Sequence, residues 1–338
     1  MRWLFERYCS SYQSAAPAAG RLTNYGELFE SEAVNKMNSV IKGAGYVLVH
    51  APDMVLHAGT TQTTEKIVNP ESEYLKELPN HIRSYEDVVA YMPNQTYIGN
   101  MTPEELAQHE QPWVGKNMEN AQRYGKFGEI MPQDEFLLLM QACDAFELLY
   151  LDKAFVAATK DKLAADPVIT EDIMAKVLEG IEGTEIKRLV DEEHAEPLYH
   201  MGNLVGCVKR AHDVDVNLSA HVMFENIACK ASSVLALLHA VKAAGIDKAD
   251  VEYVIDCAEE ACGDMNQRGG GNFAKAAAEI AGLVNASGSD LRGFCAAPTH
   301  AMIEAASLVK AGSYKTVVVT AGGCTAKLGM NGKDHVKK

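Results

Sequence analysis

Segments of helical and strand character alternate in a regular order over residues 215–323, and this alternation constrains the fold more than any other feature. Apolar residues at steps of three and four, from Ile227 to Val241, predict a long helix that Asn217 can cap and that ends at Gly245. The run Thr-Val-Val-Val-Thr at 316–320 is typical of a strand covered on both faces. Helices that alternate with strands predict an α/β fold with a mainly parallel sheet between helices.

The remaining elements of this region follow from shorter signals. Residues 251–257 and 291–294 are predicted to be strands, and a helix is predicted after Asn272. A further helix opens at Pro298 and ends before Gly312, in agreement with the preference for proline at the start of a helix and glycine just past its end.

Residues 60–208 show mixed helical and loop character and no catalytic spacing. Thr102 and Glu105 flank Pro103 as a capping box, and residues 134–151 are apolar on all sides, which predicts a buried helix. Thr170 and Thr184 are expected to cap shorter helices. Residues 198–208 predict a hairpin around a Gly-Asn turn. We interpret this region as an insertion or cap over the core.

The overall composition disfavours several classes of function. The net charge is −15 and no Lys/Arg-rich block occurs, which disfavours nucleic acid and anionic membranes as partners. No apolar stretch approaches the roughly 20 residues of a membrane span. The 8 cysteines are scattered and form no Cys-x-x-Cys pair. This pattern predicts reduced thiols in the cytoplasm and no metal site.

Cys295 is the strongest candidate for chemistry. It lies where the chain passes from a predicted strand into the helix that opens at Pro298. Partial positive charge and N–H groups at a helix N-terminus favour a thiolate and can hold the oxyanion of an acyl intermediate. Gly293, Phe294 and Ala296 would form this elbow. An inert buried cysteine is the alternative interpretation.

A second candidate is the glycine triplet that follows Arg268. Gly269, Gly270, Gly271 and Asn272 could bind phosphate or a carboxylate through backbone N–H groups, with Arg268 beside them. A plain flexible loop explains the same residues equally well. The segment lacks the Lys-Ser/Thr ending of a P-loop and the strand-linked glycines of a dinucleotide site.

Several long strings resemble one known family. Residues 59–64, 124–132, 209–221, 260–272 and 329–335 are similar to the β subunit of component C of the glycine/sarcosine/betaine reductase complex, and the resemblance spans roughly residues 37–338. Residues 41–46 and 215–323 resemble, more distantly, the thiolase-fold enzyme β-ketoacyl synthase III, whose acylated cysteine corresponds in position to Cys295.

The resemblance implies a reaction and a set of partners. Component C receives a two-carbon unit from a carboxymethylated selenoprotein A, holds it as an acetyl thioester, and releases acetyl phosphate with inorganic phosphate as substrate. Cys295 would carry the thioester. No bound cofactor is expected, and the selenocysteine belongs to the partner protein. The α subunit of component C and a second copy of this chain, through the thiolase fold, are the other expected partners.

The resemblance also implies a division of the chain. Residues 1–36 have no family counterpart and are expected to be an adventitious or poorly ordered extension. Residues 37–59 would hold the first strand of a thiolase-like core, 60–208 the insertion, and 209–338 the first half of that core with the nucleophile elbow. Family chains continue further, so a second half is expected to be absent here.

Two other functions remain open from the sequence. A ketoacyl-synthase-like acyltransferase that uses acyl-CoA would need a basic groove, which the net charge of −15 does not favour. A non-catalytic scaffold for the α subunit would leave the chemistry to that subunit.

Overall fold

The computed structural model describes residues 2–7, 38–258 and 272–324. Its strands form a main sheet of six and a smaller sheet of three, which confirms the α/β class. The strands are β1 (Arg2–Arg7), β2 (Ser39–His50), β3 (Gly128–Pro132), β4 (Leu149–Leu151), β5 (Glu196–His200), β6 (Asn203–Val208), β7 (Tyr253–Asp256), β8 (Ser287–Asp290) and β9 (Thr316–Thr320).

The helices cover both faces of the main sheet and fill the segment between β2 and β7. They are α1 (Pro52–His57), α2 (Thr60–Val68), α3 (Glu73–Glu77), α4 (Tyr85–Ala90), α5 (Met92–Ile98), α6 (Pro103–Leu106), α7 (Gln133–Cys143), α8 (Lys153–Ala164), α9 (Glu171–Met174), α10 (Gly183–Glu193), α11 (Ala220–Ala244), α12 (Phe273–Ile280) and α13 (Ala297–Ala311).

The main sheet has the order β3-β2-β1-β9-β7-β8. Strand β2 is parallel to β3, and β7 is parallel to both β8 and β9, as the alternation of elements predicts. Strand β1 is antiparallel to both of its neighbours, β2 and β9. Residues 2–7 of the N-terminal extension therefore lie in the sheet, and residues 8–37 lie outside the described part of the chain.

Strand β9 is buried on both faces, as its sequence predicts. Val318 packs into the core formed with α11. Val317 and Val319 point the other way and pack with Ala301 and Ala305 of α13. Because successive side chains in a strand alternate between faces, three adjacent valines supply both cores at once.

Glycines allow β2 to lie directly against α11. A Cβ at Gly43 would come within 2.6 Å of the Ala244 nitrogen, and one at Gly45 within 2.5 Å of the Ala236 oxygen. The Gly-Ala-Gly sequence of β2 is thus required for close packing of strand and helix.

Helix α11 forms the centre of the larger core, with Phe224, Ile227, Val234 and Leu235 fully buried. Among the described residues it is a helix long and apolar enough to cross a membrane, but 78% of its most apolar window is buried inside the fold. The core therefore accounts for its apolar character.

Several boundaries differ from the sequence prediction. The strand predicted at 291–294 is wrong: β8 ends at Asp290, and Phe294–Ala296 form a 3₁₀ turn. Helix α11 begins at Ala220, so Asn217 lies in a preceding 3₁₀ turn and does not cap it. Helix α10 starts at Gly183, which places Thr184 inside the helix. Thr170 precedes α9 without a capping side-chain hydrogen bond.

Residues 60–208 do more than cap the core, because they contribute β3 to the edge of the main sheet. Within them, the capping box of Thr102 and Glu105 is present as predicted. The 198–208 hairpin also forms, as β5 and β6. The buried helix is shorter than predicted, because α7 ends at Cys143.

A buried cluster of charges fixes this region to the core. Arg123 donates to Glu129, Glu135 and Asp166, with distances of 2.9, 2.6 and 3.2 Å from Nη2. Glu129 also lies 2.9 Å from Nε2 of His239 on α11. Burial raises the pKa of Asp166 to about 6, and the nearby Glu129 adds to the rise. The cluster joins the loop before β3, α7 and α11.

Candidate functional site

The site is built from the chain segments that leave the carboxyl ends of β7, β8 and β9. Ligands of open parallel sheets bind at this edge. Cys257 follows β7, the elbow with Cys295 follows β8, and Cys324 follows β9 at a distance of four residues in sequence. The opposite strand ends carry no such concentration of nucleophilic residues in the described part of the chain.

Cys295 is exposed to solvent in the 3₁₀ turn that precedes α13. The residue before it, Phe294, has a φ of 50°, and 83% of its surface is exposed. A positive φ is unfavourable for a bulky side chain and costs about 1 kcal/mol or more. Such strain concentrates at functional sites, which supports the choice of this turn as the reactive elbow.

Two backbone N–H groups at the elbow already donate hydrogen bonds within the chain. The Ala296 N–H donates to the Gly293 carbonyl at 3.2 Å. The Ala297 N–H donates to the carbonyl of Phe294. Pro298 has no N–H to offer. In this conformation, therefore, the amide of Ala296 does not provide an oxyanion donor, although the helix N-terminus still contributes its partial positive charge.

An ion pair that the sequence reasoning missed borders the elbow. Arg292 Nη1 donates to Asp256 Oδ2 at 2.8 Å, and Nη2 lies 3.5 Å from Asp290. Asp256 and Asp290 are opposite each other at the ends of β7 and β8. Burial raises the pKa of Asp256 to about 6, while the Arg292 guanidinium opposes the rise. The sequence feature that could have indicated this ion pair is that Asp256 and Asp290 each end a strand.

A cavity of about 340 Å³ opens beside the elbow. One wall is β2 from Gly45 to Val49, and the other is the segment from Ala321 to Cys324. Ala228 and Ser232 of α11 line it from below, and Pro298 of α13 borders it. The cavity thus reaches the first turn of the helix that Cys295 precedes.

The other described cysteines are buried. Burial raises the pKa of Cys143 and that of Cys207 to about 12. The Cys257 thiol donates to the Thr320 carbonyl at 3.3 Å. Among the described cysteines, Cys295 alone is exposed, and this distinguishes it from an inert core thiol.

The glycine-rich candidate lies mostly outside the described residues. Arg268, Gly269, Gly270 and Gly271 fall there. Asn272 is described, and its side chain caps α12: Oδ1 accepts from the Lys275 amide at 2.8 Å, and Nδ2 donates to Gly288 of β8 at 2.7 Å. Its side chain is therefore committed to positioning α12 against β8.

A pair of buried glutamates lies at the N-terminus of α2. Glu196 accepts from the Gly59 amide at 2.8 Å and from the Thr63 hydroxyl at 3.1 Å. Glu225 accepts from the Thr60 amide at 2.7 Å. Burial raises the pKa of Glu196 to about 7, although these hydrogen bonds oppose the rise. Sequence reasoning missed this pairing of Glu196 and Glu225 with α2, because the three segments are far apart in the chain.

Groups of three or more His, Cys, Asp or Glu with metal-binding geometry are not found among the described residues. Cys295, the exposed cysteine among the described residues, is the accessible candidate nucleophile at this edge of the sheet.

Comparison with known proteins agrees with the family resemblance. The chain is 65% identical over 301 residues to the glycine/sarcosine/betaine reductase complex component C subunit beta of Peptoclostridium acidaminophilum. This match covers 88% of the chain and 58% of the relative's length. No family model matches the chain. No solved structure matches it either.

Proposed function

We propose that this chain, which shares 65% identity over 301 residues with the β subunit of component C of the glycine/sarcosine/betaine reductase complex, acts as the acyl-carrying subunit of such a complex. The observation that carries the proposal is the exposed Cys295 at the N-terminal turn of α13, next to the strained Phe294. The chain spans a little over half of the relative's length, so its activity, substrates and partners are all part of the proposal.

The fold of residues 209–338 is, in this proposal, the first half of a thiolase-like domain. The parallel order β9-β7-β8, with a nucleophile between β8 and the following helix, supports this interpretation. The domain boundaries at residues 37, 60 and 209 are retained as part of the same proposal.

The chemistry is an acyl transfer through Cys295. The two-carbon unit arrives from a carboxymethylated selenoprotein A and becomes an acetyl thioester when the Cys295 sulfur bonds to its carboxyl carbon. In this step the C–Se bond breaks and the methylene carbon is reduced to methyl. The selenium is oxidised by two electrons and takes the displaced carboxyl oxygen as a selenenic acid. Phosphate oxygen then attacks the thioester carbonyl: the new C–O bond gives acetyl phosphate, the C–S bond breaks, and the sulfur leaves as thiolate. The positive end of α13 favours that thiolate as a leaving group.

The proposed assembly contains the α subunit of component C, the selenoprotein and a second copy of this chain, in the cytoplasm. The Arg268–Asn272 segment is the proposed phosphate-binding element, with Arg268, Gly269, Gly270 and Gly271 as donors. No bound cofactor enters the proposed reaction.

The direct test is acetylation of the reduced protein by acetyl phosphate. Trypsin releases residues 293–310, in which Cys295 is the only cysteine. We expect this peptide to gain an acetyl mass that hydroxylamine removes. Cys295→Ser should abolish the increment, whereas Cys143→Ser, a buried control, should retain it. The measurement is made on this chain and on its complex with the α subunit.

Absence of the increment in both preparations would move the chemistry to the α subunit and leave this chain as a scaffold. The engaged amides of Ala296 and Ala297 are the observation that favours this second function. An acyl-CoA-dependent condensing enzyme would instead acetylate Cys295 from acetyl-CoA and not from acetyl phosphate.

A further inference from the structure

The turn that carries Cys295 is strained and largely exposed. Phe294 has a φ of 50° and is 83% exposed, so little packing at that residue offsets the strain. Cys295 itself is exposed as well. A strained backbone persists only where the surrounding structure fixes it. The two ends of the turn are therefore where the packed structure can hold it.

The C-terminal end of the turn is fixed by the core. Ala297, the first residue of α13, is 1% exposed and belongs to the cluster that contains Val317 and Val319 of β9. Ala301 and Ala305, further along the same helix, are fully buried in that cluster. This end of the turn cannot move unless the core beneath α13 opens.

The N-terminal end of the turn is fixed by one residue, Asp256, at the carboxyl end of β7. Its carbonyl accepts from the Leu291 amide at 2.8 Å and from Arg292 Nη1 at 3.1 Å. Its carboxylate Oδ2 accepts from the same Nη1 at 2.8 Å. Asp256 thus holds two consecutive residues of the segment that enters the elbow.

An aspartate is a destabilising choice for this anchor. Asp256 is fully buried, and its Oδ1 accepts no hydrogen bond from the described residues. A buried carboxylate with an unsatisfied oxygen lowers stability, and an apolar residue of similar size is often the more stable alternative. Stability alone therefore does not account for an aspartate at the end of β7.

The groups around Asp256 make the anchor sensitive to protons. Arg292 and Asp290 are the charged groups of the described chain that act most strongly on its carboxylate. From the other packed elements, Cys229 of α11 faces Arg292, and β9 presents Thr320, which does not titrate. Burial raises the pKa of Asp256 to about 6, and Arg292 opposes the rise. The ion pair is therefore present above pH 6 and is lost as the pH falls below it.

We propose that Asp256 is a positioning residue for Cys295: its hold on Leu291 and Arg292 keeps the strained turn at the N-terminus of α13, where the helix favours the thiolate. This role rests on the proposed function, in which Cys295 is the nucleophile. Loss of the ion pair releases the N-terminal end of the turn. The thiolate then loses part of the stabilisation that the helix provides.

The test is the rate at which iodoacetamide alkylates Cys295 in the full chain, measured by peptide mass spectrometry at pH 7 and pH 5. We expect Asp256→Asn to lower this rate about tenfold at pH 7, because the neutral amide cannot form the ion pair. At pH 5 only about one tenth of Asp256 is ionised in the parent protein, so the ratio of the two rates should fall to about two. A role in overall stability alone would give the same ratio at both pH values.

Arg292→Met tests the other partner of the pair and does not depend on how Asp256→Asn folds. It should lower the rate about tenfold at pH 7, with the same fall in the ratio at pH 5. In the double variant, Asp256→Asn should add no further loss, because the two side chains act as one unit. Trypsin then releases residues 276–310 instead of 293–310, and Cys295 is the only cysteine in either peptide.

Arg188→Met is the matched control, because it removes an exposed cation from α10, and it should leave the rate unchanged. Far-ultraviolet circular dichroism shows that each variant is folded. Three results would overturn the proposal: a ratio near one at pH 7, a ratio that stays near ten at pH 5, and a double variant whose loss is the product of the two single losses.

The same preparations separate this role from the acyl transfer. Alkylation that depends on Asp256, in a chain that acetyl phosphate does not acetylate, would overturn the acyl transfer and support the positioning role. Acetylation of Cys295 at an equal rate in the parent protein and in Asp256→Asn would overturn the positioning role alone.

Discussion

At the residue scale, access to solvent separates Cys295 from the buried cysteines. We expect iodoacetamide at pH 8 to alkylate Cys295 first and to leave Cys143 and Cys207 unmodified in the native state, because burial raises the pKa of each of these two thiols to about 12. Peptide mass spectrometry over a time course measures the order. Alkylation of Cys143 at the rate of Cys295 would contradict it.

Glu196 gives the stability a defined pH dependence. Its pKa rises from 4.5 to about 7 on folding, mainly through burial, so the folded state holds the proton more tightly. The stabilisation by this proton is complete below pH 4.5 and is lost as the pH rises through 7. Glu196→Gln should remove this pH-dependent loss in the free energy of unfolding, which amounts to about 3 kcal/mol at most.

Urea unfolding at pH 5 and pH 8 checks this prediction. The difference between Glu196→Gln and the parent protein should favour the variant more at pH 8. Glu179→Gln, at an exposed position, serves as the matched control. It should change the free energy of unfolding by the same amount at pH 5 and at pH 8. A constant difference for Glu196→Gln would mean that the carboxyl is already ionised in the folded protein at pH 5.

Arg123 forms ion pairs with three carboxylates in residues 60–208. Arg123→Met leaves Glu129, Glu135 and Asp166 without their common partner in a region where all three are buried. Removal of one member of a buried charge cluster costs about 3–5 kcal/mol. Arg188→Met, which breaks exposed pairs only, should cost about 1 kcal/mol or less in the same urea titration.

At the element scale, the contact of β2 with α11 depends on glycine. Gly45→Ala would place a Cβ 2.5 Å from the Ala236 oxygen, so the helix must shift. We expect a loss of about 3 kcal/mol in the free energy of unfolding. In Gly245→Ala, at the end of α11, the added Cβ meets open space. The substitution is opposed only by the positive φ of 64°, which alanine rarely adopts. A cost of about 1 kcal/mol is expected there.

Elements differ in how well their sequence predicts them. Strand β9 and helix α13 carry strong local signals: three adjacent valines, Pro298 at the start and Gly312 past the end. Strand β8 has the sequence Ser-Gly-Ser-Asp, which has no β preference. It forms because it pairs with β7, and Gly288 fits there since a Cβ would lie 2.6 Å from the Val254 oxygen.

On the scale of the whole molecule, the fold is organised around α11. We expect hydrogen exchange to be slowest in α11 and β9, because both are buried, and fastest in the segment from α3 to α6, where many residues are exposed. Exchange measured by mass spectrometry on peptic fragments tests this order. Early exchange of β9 would mean that the sheet opens between β1 and β9.

The sequence by itself determined the α/β class, the parallel pairing of β7 with β9, the position of Cys295 before α13 and the family resemblance. These follow from local signals: apolar periodicity, capping residues and long matched strings. Tertiary structure alone decided that residues 2–7 enter the sheet, that Arg292 lies between Asp256 and Asp290, and that Glu196 meets α2. Each of these contacts joins segments that are distant in the chain. Which distant groups meet depends on how the whole core packs, and no single segment carries a signal for that packing.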